Sequence, residues 1–235
     1  MRTVNKMAVV LGVVTALIAA RHRRRPAKTQ MTSRIKNCVE RAAHYRDEVL
    51  KEISRHATAD ASDRSWVATA FLKMAAGDLK GIISEIRDGN PTPAFKLFRL
   101  LYEDVVNGLW VQAFAPDEVV HELLRTDHGQ VSGKMTERAA RLDTVFVPPP
   151  TAGDEDRLFI DLQGKFWRVA CSFTHGGSMA INRELAGYDE ESTYEILRSS
   201  TTIFVMLIDA MYRLHHGKPN DVLTGIAQTY FAEKW

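Results

Sequence analysis

The chain has 235 residues, 45% of them hydrophobic and 26% charged, an ordinary globular balance that suits one large domain or two small ones. Its net charge of +2 hides an asymmetry: residues 1–30 hold seven of the 31 Lys and Arg and none of the 29 Asp and Glu, so the remainder carries 24 bases against 29 acids, a net of −5. A mildly acidic folded part argues against a broad nucleic-acid-binding surface, which is normally basic, and leaves room only for a local basic pocket. The two cysteines, Cys38 and Cys171, have no CxxC or His-rich neighbourhood and read as reduced thiols of a cytoplasmic protein. The eight histidines show no ligand spacing, so neither a metal nor a cofactor is expected.

The chain opens on an apolar run, MAVVLGVVTALIAA (7–20), followed at once by RHRRRP. Fourteen residues are short for a bilayer span, which needs about 20. Positive charge after an apolar region opposes export, which argues against a cleaved signal peptide. Two readings stand side by side. In one, residues 7–20 tether the protein to the inner face of the membrane, with the arginines holding the rest in the cytoplasm. In the other, the start codon is misplaced and the domain begins at Met31. Either way residues 1–30 form an apolar and basic segment, and residues 31–235 a single helical-bundle domain.

From Met31 the apolar period is helical nearly throughout. Ile35, Cys38, Ala42, Tyr45, Val49 and Ile53 follow a Thr32/Ser33 cap. A second helix starts near Asp63, carries Val67, Phe71, Met74, Leu79, Ile82 and Ile86, and stops at Gly89 and Pro91. A third opens at Pro93 and runs through AFKLFRLLYEDVVNGLWVQAF. Two short helices follow, DEVVHELLRTD and MTERAARLDTVF, and then an exposed loop, VPPPTAGDED (147–156). Beyond it lies the helix that carries FWRVACSFTHGG. Asp189 or Ser192 begins a long helix ending at Gly217 and Pro219, whose middle, Ile203 to Ile208, is apolar all round and is expected to be the most buried element. A last amphipathic piece spans 221–233. Nothing alternates with period two, so the expectation is an all-α bundle of roughly six to eight helices.

One helix face carries chemistry. Asp161, Lys165, Arg168, Ser172 and His175 are spaced 4, 3, 4 and 3 and fall within an arc of about 80°. Such a seam is a solvated face or a cleft wall. Asp161 and Lys165 form a favourable i, i+4 pair without any function, and a histidine before two glycines suits the last turn of a helix. Read as a cleft wall, Arg168 and His175 stand two turns apart, about 10 Å, which suits a substrate lying across both, with the arginine on a phosphate and the histidine moving a proton. On the third helix Arg99 and Glu103 are i, i+4, with Asn107 one turn on. They read as a structural ion pair or as a device by which Glu103 orients Arg168 or His175 from across the core. Tyr102, Trp110 and Phe98 read as packing, and Cys171 as a small buried residue, since no helix N-terminus activates it.

FRLLYEDVVNGLWV, followed some way on by WRVACSFTHGG, resembles an uncharacterised bacterial all-helical family that is distantly HEPN-like, over roughly residues 65–215. HEPN ribonucleases are helical bundles marked by an arginine, four to six residues, and a histidine; Arg168 and His175, with six between, match the long end of that pattern. The resemblance implies a homodimer with a metal-independent RNA-cleaving site at the subunit interface, Arg168 stabilising charge on the scissile phosphate and His175 serving as general acid or base. The sequence departs from the pattern directly after the arginine, where active members carry a polar residue and this chain has Val169. Two functions follow as expectations. The first is a non-catalytic module that binds a protein partner or effector. The second is a HEPN-like ribonuclease of toxin or defence type acting on RNA through Arg168 and His175, with Glu103, Arg99, Ser172 and Asp161 in support.

Overall fold

The computed structural model describes residues 31–56, 62–125, 131, 133–146, 158–175, 177–216 and 220–232. Among them are nine helices and no strand: α1 Ser33–His56, α2 Asp63–Arg87, α3 Pro91–Phe114, α4 Asp117–Arg125, α5 Met135–Phe146, α6 Leu158–His175, α7 Ser178–Ala186, α8 Glu190–His216 and α9 Asp221–Ala232. The chain is the all-α bundle its periodicity calls for, with α7 as the one helix the sequence pattern did not separate. The apolar run 7–20, the basic block after it and the proline-rich stretch 147–156 lie outside the described residues. No helix among the described residues is long and apolar enough to cross a membrane.

The helix ends obey local chemistry. The Thr32 hydroxyl accepts from the Ile35 N–H at 3.3 Å, and that of Ser62 from the Ser65 N–H at 3.3 Å, each filling an orphan donor of a first turn. At the end of α2 the Asn90 N–H donates to Glu85 C=O and the Gly89 N–H to Ile86 C=O, with Gly89 at φ 76. This is the Schellman closure, which needs the left-handed residue that glycine supplies. The tight stop lets α3 begin at Pro91 rather than Pro93, because both prolines suit a first turn. Asp189 begins α8 by accepting from the Ser192 N–H at 2.6 Å, and its other oxygen holds Arg183 of α7 at 2.5 Å. Asn220 begins α9 by accepting from Val222 and Leu223, and its amide donates to the buried Glu52 of α1 at 3.1 Å.

α2 and α3 form a close antiparallel pair. A Cβ at Gly108 would meet Phe71 Cβ at 3.0 Å, so the backbones approach where glycine allows it. α8 lies against α1, α2 and α3 at once, which puts it at the centre. Ile203, Phe204, Val205 and Ile208 are buried there. The buried hydroxyls of Ser200 and Thr201 donate back to Ile196 and Leu197 C=O at 2.6 and 2.9 Å, so polar residues sit in the central helix without an orphaned donor.

Candidate functional site

α6 is pinned to α3 and α5 at its N-terminal end and to α3 at its C-terminal end. At its N-terminus the buried carboxylate of Asp143, on α5, accepts from the Phe159 N–H at 2.8 Å and the Ile160 N–H at 3.1 Å, so the cap comes from a different helix. Tyr102 of α3 donates its hydroxyl to Phe159 C=O at 2.8 Å. Burial, with the Asp143 charge added to it, pushes the Tyr102 phenol above its ordinary pKa, so it stays a donor at any physiological pH. Asp143→Ala is expected to lower stability by about 2 kcal/mol, and Asp143→Asn by less because an amide oxygen still accepts; urea denaturation of the two variants checks the order.

At the other end Phe173 stacks on Phe95 of α3 with centroids 4.6 Å apart, and the Gly177 N–H donates to Ser172 C=O at 2.7 Å. A Cβ on Gly177 would stand 2.6 Å from Ser172 Oγ and 3.2 Å from its Cα. The second glycine of the HGG sequence is therefore required by close approach, since its φ of −67 is ordinary. Gly177→Ala is expected to cost about 1–3 kcal/mol through overpacking, part of which Ser172→Ala in the same chain restores; thermal melts of the single and double variants decide it.

These anchors set His175, exposed on the last turn of α6, against α3. Its Nε2 lies 2.6 Å from Arg99 Nη1, and the Arg99 Nε–H donates to Glu103 Oε1 at 2.9 Å. A guanidinium has donors only, so the imidazole lone pair on Nε2 is the acceptor and the ring proton resides on Nδ1. Arg99 and Glu103 are only 20% and 25% exposed, so the ion pair is largely shielded from water. Arg138 of α5 adds a second cation. It is buried, donates to Gly133 C=O at 2.9 Å, and interacts electrostatically with Glu103. Burial lowers its pKa, and the charges of Glu103 and Glu137 work against that.

Of the residues expected to form the site, the fold brings together Arg99, Glu103 and His175. Glu103 does not reach His175 itself; it fixes Arg99, which does. Ser172 does not join them, for its Oγ is buried under Gly177 and has no hydrogen-bond partner among the described residues. Asn107, one turn beyond Glu103, also buries an Oδ1 without a partner among them. The positions of Asp161, Lys165 and Arg168 fall on α6, but their side chains lie outside the described residues. Tyr102, Trp110 and Phe98 are buried packing residues as expected, whereas Cys171 is half-buried rather than enclosed. Among the described residues no group of His, Cys, Asp and Glu is arranged to hold a metal ion.

Sequence reasoning missed Arg138 and Asp143. The signal was faint: in TERAARLD both charges stand on the same face as Ala139 and Leu142, which are fully buried. Charged residues inside an apolar stripe are the mark of a buried polar role.

A family of unknown function, DUF6988, matches residues 72–232. The chain belongs to that family. Nothing matches among curated proteins, and nothing among solved structures. The DUF6988 match begins inside α2 and runs to the end of α9, so it takes in Arg99, Glu103, Arg138, Asp143 and His175 together. α1 and residues 1–30 precede the part that defines DUF6988.

Proposed function

We propose that this DUF6988 protein is a non-catalytic helical module that binds an effector or protein partner at the His175–Arg99–Glu103 face. One observation carries the reading: the Nε2 lone pair of His175 is engaged by a guanidinium that Glu103 holds in place. An imidazole so occupied is a poor base on that nitrogen. Ser172 Oγ, one turn back on the same helix, is buried under Gly177 and does not join the face. What the face does offer is positive charge at Arg99 and an N–H donor, the Nδ1–H of His175, which suit a carboxylate or another oxyanion on the partner. The test is a thermal-shift screen of anionic effectors against the parent and Arg99→Gln. A rise in melting temperature that the variant abolishes supports the reading. Cleavage of RNA by the parent in a chelator, lost in His175→Ala, overturns it.

A second reading is a HEPN-like, metal-independent ribonuclease with Arg168 and His175 as the working pair at the interface of a cytoplasmic homodimer. In its favour, His175 is exposed at the helix end with an arginine 2.6 Å away, an arrangement able to receive a phosphate. Under that reading Arg168→Ala and His175→Ala each lower RNA cleavage by a factor of about 100 or more while the melting temperature stays nearly constant. A parent inactive over a panel of RNAs sinks it.

A further inference from the structure

The outer face of α2 is covered by no other element among the described residues and has a pattern that the site above does not use. Trp66 is 65% exposed and Met74 54%. Lys73, Lys80 and Arg87 follow Trp66 at intervals of seven, so the row drifts only about 20° per step. All three cations are exposed, and none forms an ion pair among the described residues. Gly77, in the middle of the face, has open space where a Cβ would stand, so the backbone there can lie close to a surface. From Trp66 to Arg87 the row is about 32 Å long. The acids on α2 beside the row are Asp63, which faces His121 at 3.5 Å, Glu85 and Asp88 next to Arg87, and in mid-helix Asp78, which is half-buried and interacts with Asp104 of α3.

We propose that this face of α2 docks on the headgroup layer of an anionic lipid bilayer. Amphipathic aromatic and thioether side chains beside a row of cations are what an interfacial helix presents: the apolar groups enter the headgroup boundary and the cations meet lipid phosphates. The way the chain enters the fold points to the same occupant. Met31, Thr32 and Ile35 line a small crevice with Ile86 and Gly89, so Met31, the first described residue, lies at the Arg87 end of the row. Residues 1–30 carry Arg21, Arg23, Arg24, Arg25 and Lys28 directly after the apolar run 7–20. A nucleic acid would use the charges but has no need of the exposed methionine among them. The net charge of −5 on the rest of the chain does not oppose docking, because fields from distant acids are screened beyond about 8 Å at physiological salt.

The experiment uses the full chain, the variant Lys73→Gln/Lys80→Gln/Arg87→Gln and the variant Trp66→Phe. Co-sedimentation is measured with phosphatidylcholine vesicles, with and without about 30% phosphatidylglycerol. The parent is expected to bind the anionic vesicles, and the triple variant to bind at least about tenfold more weakly at the same helix content. Brominated lipid is expected to quench the parent's tryptophan fluorescence, and Trp66→Phe to remove most of that quenching. A parent that binds neutral and anionic vesicles alike overturns the proposal. So does a triple variant that binds as the parent does, since residues 1–30 alone then account for attachment. Loss of retention of an RNA oligonucleotide in the triple variant, with vesicle binding intact, also overturns it and assigns the face to nucleic acid.

Discussion

Replacing Ile203 by aspartate is expected to destabilise the fold by about 4 kcal/mol or more at neutral pH. Ile203 is 3% exposed, and its helix neighbours Phe204, Val205 and Ile208 are buried with it. Because α8 lies against α1, α2 and α3, a carboxylate at this position has helices on several sides and buried apolar neighbours around it. Two losses add: the transfer energy of the isoleucine side chain, about 2 kcal/mol, and the penalty of a buried unpaired charge, which the new aspartate reduces by keeping its proton. The loss is therefore greater at pH 8 than at pH 4. Ile203→Val, which removes one methyl group, is expected to cost about 1 kcal/mol at both. Urea midpoints of the two variants at the two pH values test the placement of α8. Equal midpoints for parent and Ile203→Asp would mean that this stretch is not central.

The fold was readable because helical proteins announce their elements in a single strip of sequence. The periods of α1, α2, α3 and α8 are long enough for the apolar face to recur several times, and caps such as Thr32 and Asp189 mark beginnings. α7 escaped, though α4 is no longer, because Ser178–Ala186 follows two glycines that read as the end of order and no side chain caps its first turn. Placing the start of α3 two residues late has a similar origin: the Schellman closure at Gly89 lets Pro91 serve as the first helical residue, and a hydrogen-bonded turn of that kind is not visible in composition.

The site was legible only in part, for a different reason. Arg99 and Glu103 announce themselves by i, i+4 spacing on one helix, and His175 by its place before the glycines. That Arg99 bridges from one to the other across 76 positions is a tertiary fact with no local trace. The same holds for Asp143, whose spacing in α5 gives no hint that it caps α6. Sequence patterns display contacts within an element; contacts between elements follow from crossing angles that no short window contains.

The last expectation rests on such a contact. Asp78 of α2 and Asp104 of α3 are hydrogen-bonded to each other, Asp104 is 8% exposed, and the charges acting on it are the carboxylates of Asp78 and Glu103. Burial first, and the neighbouring carboxylates after it, push Asp104 up to about 7; burial pushes Asp78 up to about 6, against the lowering effect of its hydrogen bond to Asp104. The pair holds a proton that the unfolded chain, with carboxyls near 3.8, has released. The sign follows directly: between about pH 4 and pH 7 the folded state binds more protons than the unfolded one, so stability falls as pH rises through this window and levels off above it. Asp104→Asn keeps a donor for Asp78 but cannot ionise. The variant is expected to match the parent near pH 4 and to exceed it at pH 8 by on the order of 2 kcal/mol, with a flatter profile between. Urea midpoints measured from pH 4 to pH 8 read this out. A variant that is less stable than the parent at pH 8, or that retains the parent's slope, would show that the two carboxyls do not share a proton across the α2–α3 seam.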